Sequence, residues 1–167
     1  MVHNLPAGIE CIKIAPLKSL TDYSRFVLHC LADWNEASHC MIMQWDGFVA
    51  APEASEPAFL ACDYICAPWP QFVDGHDVGN GGFSLRSRWL MLACRDPAFC
   101  DDGATEDLVI ARTDRATLEE RNEIVLANRD LASRFSRERD DAVLRTLVFH
   151  VVFNLPGVVG IKGFWDL

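Results

Sequence analysis

A glycine-rich segment at 77–88 (DVGNGGFSLRSR) has residue types that suit ligand binding. Gly79, Gly81 and Gly82, with Asn80 among them, precede a run whose pattern predicts a helix start. Glycine allows positive φ angles and a close approach of the backbone to a ligand. A helix that starts behind such a turn directs free N–H groups and its positive dipole end forward. The segment therefore predicts a site for a phosphate, a carboxylate or a sugar hydroxyl; the alternative is a tight strand-to-helix turn without a ligand.

Asp46 could hold a divalent cation. It follows a predicted buried strand, within the sequence Gln44-Trp45-Asp46-Gly47. In open α/β sheets, ligands bind outside the carboxyl ends of the strands. Mg²⁺ and Mn²⁺ prefer oxygen ligands, which they usually share with substrate phosphates. The alternative is a simple turn, which an Asp-Gly pair favours.

Other polar and aromatic side chains could complete such a site. Glu106 and Asp107 open a predicted helix, where one could be a general base for an attacking hydroxyl or merely complement the helix dipole. His150 lies in an apolar strand and could be a metal ligand or a hydrogen-bonded core residue. Trp69 and Trp165 flank loops, where each could stack on a sugar or base or cap the core.

The composition limits the class of protein. The 167 residues, 50% of them hydrophobic, predict a single domain over 1–167 with a substantial core. The net charge of −9, with no basic patch among aromatics, argues against nucleic acid as the main partner. No apolar run predicts a membrane span, and no signal peptide is visible. Seven cysteines without C-x-x-C spacing predict reduced thiols in a cytoplasmic protein.

Predicted strands and helices alternate along the chain. Hydrophobic patterns predict strands at 9–14, 39–44, 63–67, 124–126 and 147–153, and helices at 20–31, 85–94, 106–122 and 129–135. Ser19 can cap the first helix. The alternation predicts an α/β fold with a largely parallel sheet flanked by helices.

Several segments, taken in order, resemble a bacterial family of glycosyltransferase-like domains. They are 16–19 with 22–26, 44–48, 63–65 with 67–69, 78–88, 106–107 and 149–150, and the resemblance extends over roughly 9–157. The block VGNGGFSLRSR is the most specific of them, and it is also similar to the Gly-Gly turn of galactosyltransferases with the GT-A fold. The resemblance implies a GT-A-like, Rossmann-like domain that moves a sugar from a nucleotide-sugar donor, such as a UDP-sugar, to a hydroxyl acceptor.

The resemblance also implies roles for individual residues. Asp46 would be the metal-binding acid of a D-x-D-like motif for Mn²⁺ or Mg²⁺, with His150 as a further metal ligand. Asp107, with Glu106 beside it, would be the catalytic base. The substrate-binding residues would be Asn80, Gly81 and Gly82 at the donor sugar, together with Trp69.

The chain departs from the family pattern in three respects. Gln44 stands where the first acid of the D-x-D motif would be, and Cys66 stands where glycine is usual. The first strand-like run already precedes the PLKS segment, so the family's first β-α unit, which helps to bind the nucleotide, is missing by comparison. Loss of that unit predicts an unpaired sheet edge and hence a homo-oligomer.

Two other functions therefore remain open. The first is a truncated or degenerate module that binds a nucleotide sugar or carbohydrate without transferase activity. The second is an unrelated α/β hydrolase that uses Asp46, Asp107 and His150.

Overall fold

The structure is a computed structural model that describes residues 8–44, 46–138 and 146–150. Its described part contains two three-stranded sheets, with strand orders β1-β4-β3 and β2-β6-β5. The strands are β1 His39–Met43, β2 Gly47–Val49, β3 Tyr64–Pro68, β4 Val78–Ser87, β5 Ser136–Arg137 and β6 Val148–His150. All neighbouring strands are antiparallel except β5 and β6, which are parallel.

The helices are short, and side chains cap three of them. They are α1 Leu20–His29, α2 Arg88–Ala93, α3 Glu106–Leu108 and α4 Arg129–Phe135, with π-helical turns at Val109–Thr113 and Thr117–Arg121. Ser19, Ser87 and Asn128 accept hydrogen bonds from backbone N–H groups in the first turns of α1, α2 and α4, which satisfies donors that a helix start leaves free. Among the described residues, no helix has the length and apolarity needed to cross a membrane.

The predicted GT-A-like, Rossmann-like parallel sheet flanked by helices is wrong, because the strands pair mainly in antiparallel fashion. Parallel neighbours need a crossover of a dozen or more residues, usually a helix. Between β3 and β4 the chain has only residues 69–77, which contain no helix, so these strands run in opposite directions. The local hydrophobic patterns predicted β1, β3 and β6 but missed β2, β4 and β5, and they could not give the directions of the strands.

The glycine-rich segment lies inside a strand and not in a turn before a helix. All ten residues of β4 are buried, because β1 and β3 pair with it on both sides. The helix that was predicted to start near residue 85 starts at Arg88. The β3–β4 register shifts between Cys66 and Ala67, from Ser84 to Asn80, so residues 81–83 form a bulge against β3. Such bulges redirect side chains and are frequent beside active sites.

Three other predicted elements also differ. Residues 9–14 form no strand, and the predicted strand at 124–126 has only an isolated parallel bridge between Leu126 and Tyr64. The helix predicted over 106–122 is divided into α3 and the two π-helical turns. A hydrophobic core packs around β3 and β4 and includes Tyr64, Ile65, Phe83 and Leu90. The central position of β4 in this core places its glycines between the elements that carry the polar residues discussed below.

Candidate active site

Asp46 and His150 form a hydrogen-bonded pair between β2 and β6. Asp46 directly precedes β2, and the antiparallel pairing of β2 with β6 sets Gly47 opposite His150. His150 Nε2 lies 3.1 Å from Asp46 Oδ1. Their side chains are only 8% and 18% exposed. The fold therefore joins a carboxylate and an imidazole that are 104 residues apart in the sequence.

Gly82 lies directly against the His150 ring. A Cβ atom at Gly82 would be 2.8 Å from His150 Nδ1 and closer still to Cε1 and Nε2. Gly82 N–H also points to Asn80 Oδ1, at 3.5 Å. The missing side chain at Gly82 thus makes room for the imidazole, which is the physical reason for glycine at this position.

Gly81 contacts the second predicted functional group, Asp107. Gly81 N–H donates to Asp107 Oδ2 at 3.3 Å, and Asp107 Oδ1 accepts from Leu108 N–H at 2.8 Å. A Cβ atom at Gly81 would lie 3.0 Å from Asp107 Cβ. Of two adjacent glycines, Gly82 therefore contacts the Asp46–His150 pair and Gly81 contacts Asp107. These predicted residues lie around one short stretch of β4.

Glu106 differs from Asp107 in its exposure and in its partners. Glu106 is 3% exposed; its Oε2 accepts from Ser24 Oγ at 3.1 Å, and its Oε1 accepts from Arg86 Nη2 at 3.4 Å. Asp107 is only partly buried. Because a general base must reach its substrate, the geometry favours Asp107 over Glu106 for that role.

Trp69 and Gln44 both make structural contacts near this site. Trp69 is 5% exposed, and its ring packs against Gly79 and stands edge-on to Phe72. Gln44 N–H donates to Gly82 O at 2.9 Å, next to the Asp46–His150 pair. Stacking of Trp69 on a sugar stays a prediction. Trp165 lies outside the described residues.

Arg86 is the polar residue at this site that the sequence analysis did not single out. It is 1% exposed and is among the largest fully buried side chains of the described residues. Its guanidinium lies 5.3 Å from the centre of the Tyr64 ring. Burial raises the pKa of Tyr64 well above its usual value, so this ring stays neutral. The sequence pattern placed Arg86 in a predicted helix at 85–94, so no local signal identified this residue or its partner.

Asp46 and His150 have side chains of the types that divalent-cation sites use, and cation binding by this pair stays a prediction. Carboxylate oxygen and imidazole nitrogen are both ligands for Mn²⁺, and the ring nitrogen that could share an ion with Asp46 is His150 Nε2, 3.1 Å from Asp46 Oδ1. Within 8–44, 46–138 and 146–150, no group of three or more His, Cys, Asp or Glu side chains could hold a metal ion. Two protein ligands suit an ion whose other ligands are substrate phosphates and water.

A comparison with protein families identifies the chain's family. The family model described as "Protein of unknown function (DUF5672)" matches residues 7–147, which is most of the chain. The chain therefore belongs to this family. No curated protein matches the chain significantly. No solved structure does so either.

Proposed function

We propose that this member of the DUF5672 family transfers a sugar from a nucleotide-sugar donor to a hydroxyl acceptor. The observation that carries the proposal is the grouping of three functional side chains around Gly81 and Gly82. Asp46 and His150 form a carboxylate–imidazole pair on one side, and Asp107 presents a partly exposed carboxylate on the other. The proposal rests on this set of side chains and does not require a parallel sheet.

Each residue has a defined task in this reaction. Asp107 accepts the proton of the acceptor hydroxyl while the hydroxyl oxygen forms a bond to the anomeric carbon of the sugar. The bond from that carbon to the donor phosphate breaks, and its electron pair leaves with the nucleoside diphosphate. Asp46 and His150 would hold Mn²⁺ or Mg²⁺, which supplies positive charge for the leaving diphosphate. The Asn80 side chain and the strand backbone at Gly81 and Gly82 would adjoin the donor sugar.

The first test concerns the cation site. We expect Asp46→Ala to weaken binding of UDP in the presence of Mn²⁺ by about 2–3 kcal/mol, because one charged ligand is lost. That corresponds to a Kd about 30 to 150 times higher. Calorimetry with and without Mn²⁺ measures it. Asp130→Ala, at an exposed position in the first turn of α4, is the matched control for loss of one acid.

Two results would contradict this assignment. Equal affinity of UDP for the Asp46→Ala variant and the parent would remove Asp46 from the site. Absence of any effect of Mn²⁺ on the parent would remove the cation from the proposal. Retained helical circular dichroism in the Asp46→Ala variant is required before the first result is interpreted.

A nucleotide-sugar-binding module without transferase activity is the second candidate. One observation favours it: Gln44, which stands at the first acid position of the D-x-D-like motif, is an amide and adds no negative charge beside Asp46. Turnover separates the two candidates. Formation of a glycosylated acceptor from a UDP-sugar supports the transferase, whereas UDP binding without turnover supports the module.

A further inference from the structure

We infer that Arg86 is a positioning residue for Asp107, an inference that rests on the proposed role of Asp107 as the base. Arg86 pairs with Tyr64 across β3 and β4, and its side chain is almost completely buried. A buried ion pair often stabilises a fold no better than apolar residues of equal volume. Stability alone therefore gives little reason for an arginine at this position.

Arg86 fixes the acidic start of α3. Its Nη2 donates to Glu106 Oε1 at 3.4 Å. The other oxygen of Glu106 accepts from Ser24 Oγ at 3.1 Å, and Ser24 Oγ in turn accepts from Glu106 N–H at 3.3 Å. Glu106 is thus held by β4 on one side and by α1 on the other, so its neighbour Asp107 has little freedom to move.

Arg86 also fixes the glycine bulge. Its Nε donates to Ser84 Oγ at 3.0 Å, and Ser84 Oγ donates to Gly81 O at 3.1 Å. Gly81 N–H is the donor to Asp107. One guanidinium therefore holds both ends of the Gly81–Asp107 hydrogen bond, the donor through Ser84 and the acceptor through Glu106.

The packing at Gly81 shows how closely these groups converge. A Cβ atom there would lie 3.0 Å from each of Arg86 Nη2, Glu106 Oε1 and Asp107 Cβ. The titratable side chains around Arg86 include Tyr64, Glu106, Tyr23 and Cys66, and none of these is a cation. Arg86 consequently supplies positive charge beside two neighbouring carboxylates.

The test removes the charge pair without leaving one charge buried alone. Arg86→Met combined with Glu106→Gln keeps both side chains long and makes both neutral, whereas Arg86→Met by itself leaves a buried carboxylate unpaired and risks unfolding. Arg86→Lys restores the charge as the conservative variant. Arg95→Met, at a surface ion pair with Asp33, is the matched control.

The first readout is the NMR signal of the Gly81 amide in protein labelled with ¹⁵N-glycine. The Asp107→Asn variant is used to assign this signal. In the double variant we expect a changed proton shift and about tenfold faster hydrogen exchange at Gly81, since the amide loses a fixed acceptor. The Arg86→Lys variant should recover part of the protection. The control should match the parent. A Gly81 amide unchanged in the folded double variant overturns the inference.

The second readout separates binding from turnover. Donor turnover by the double variant should fall by about 10²-fold or more, while UDP affinity with Mn²⁺ stays within about twofold of the parent, because the Asp46–His150 pair is untouched. Loss of UDP affinity equal to the loss of turnover would contradict the inference. A parent protein that does not bind UDP overturns the proposed function only, and the Gly81 amide then still decides whether Arg86 holds Asp107.

Discussion

Replacement of Gly82 by alanine tests the geometry of the site most directly. The new methyl carbon would lie 2.8 Å from His150 Nδ1 and nearer still to two other ring atoms. Non-bonded atoms rest about 3.5–4.0 Å apart, so the ring must retreat by more than about 0.7 Å. His150 is only 6% exposed and has little room to do so. Overpacking of this kind costs about 1–3 kcal/mol of folding stability.

The displacement should also separate His150 from Asp46, because their hydrogen bond is already 3.1 Å long. We therefore expect Gly82→Ala to remove the effect of Mn²⁺ on UDP binding. The quantity to measure is the ratio of UDP affinity with Mn²⁺ to that without it. Loss of one metal ligand costs about 2–3 kcal/mol of binding free energy, which lowers that ratio about 30- to 150-fold.

Gly79→Ala provides a control with similar overpacking in the same strand. A Cβ atom at Gly79 would lie 2.8 Å from Ala111 Cβ and closer to the Trp69 ring, away from His150. Both variants should lower Tm, but only Gly82→Ala should lose the metal effect. A folded Gly82→Ala protein that keeps the parent's affinity ratio would refute the reasoning, and so would equal loss in both variants.

Three further predictions follow from the same contacts. Asp107→Asn should lower turnover by about 10²–10⁴-fold with UDP affinity nearly intact, and a larger effect of Glu106→Gln would show that the base is Glu106. In the described part of the chain β1 is an edge strand, and its Met41 is 44% exposed. We therefore expect self-association that light scattering detects and Met41→Lys weakens; a monomeric parent at every concentration would contradict this. Burial raises the pKa of Cys66 and raises that of Cys94 from 9.0 to about 12. Because unfolded thiols ionise first, the free energy of unfolding should fall as the pH rises from about 8 to about 10, and an unchanged urea midpoint would refute this.

Local sequence determined several elements of the fold. The cap at Ser19 and the apolar spacing after it predicted α1, and the pattern over 129–135 predicted α4 with its observed bounds. The apolar runs at 39–44 and 63–67 predicted β1 and β3. These signals depend on residues within a few positions of one another. The local interactions that they indicate therefore form whatever the rest of the fold is.

Tertiary structure decided the directions of the strands, the role of the glycines and the partners of the charged residues. Glycines typical of a turn lie instead in a buried strand, at a bulge where its pairing with β3 shifts from Ser84 to Asn80. The sequence named Asp46, Asp107 and His150 as candidates, but only folding brought Asp46 and His150 together from 104 residues apart. It also buried Arg86 against Glu106. Such pairs are determined by packing between distant elements, and local periodicity carries no information about that packing.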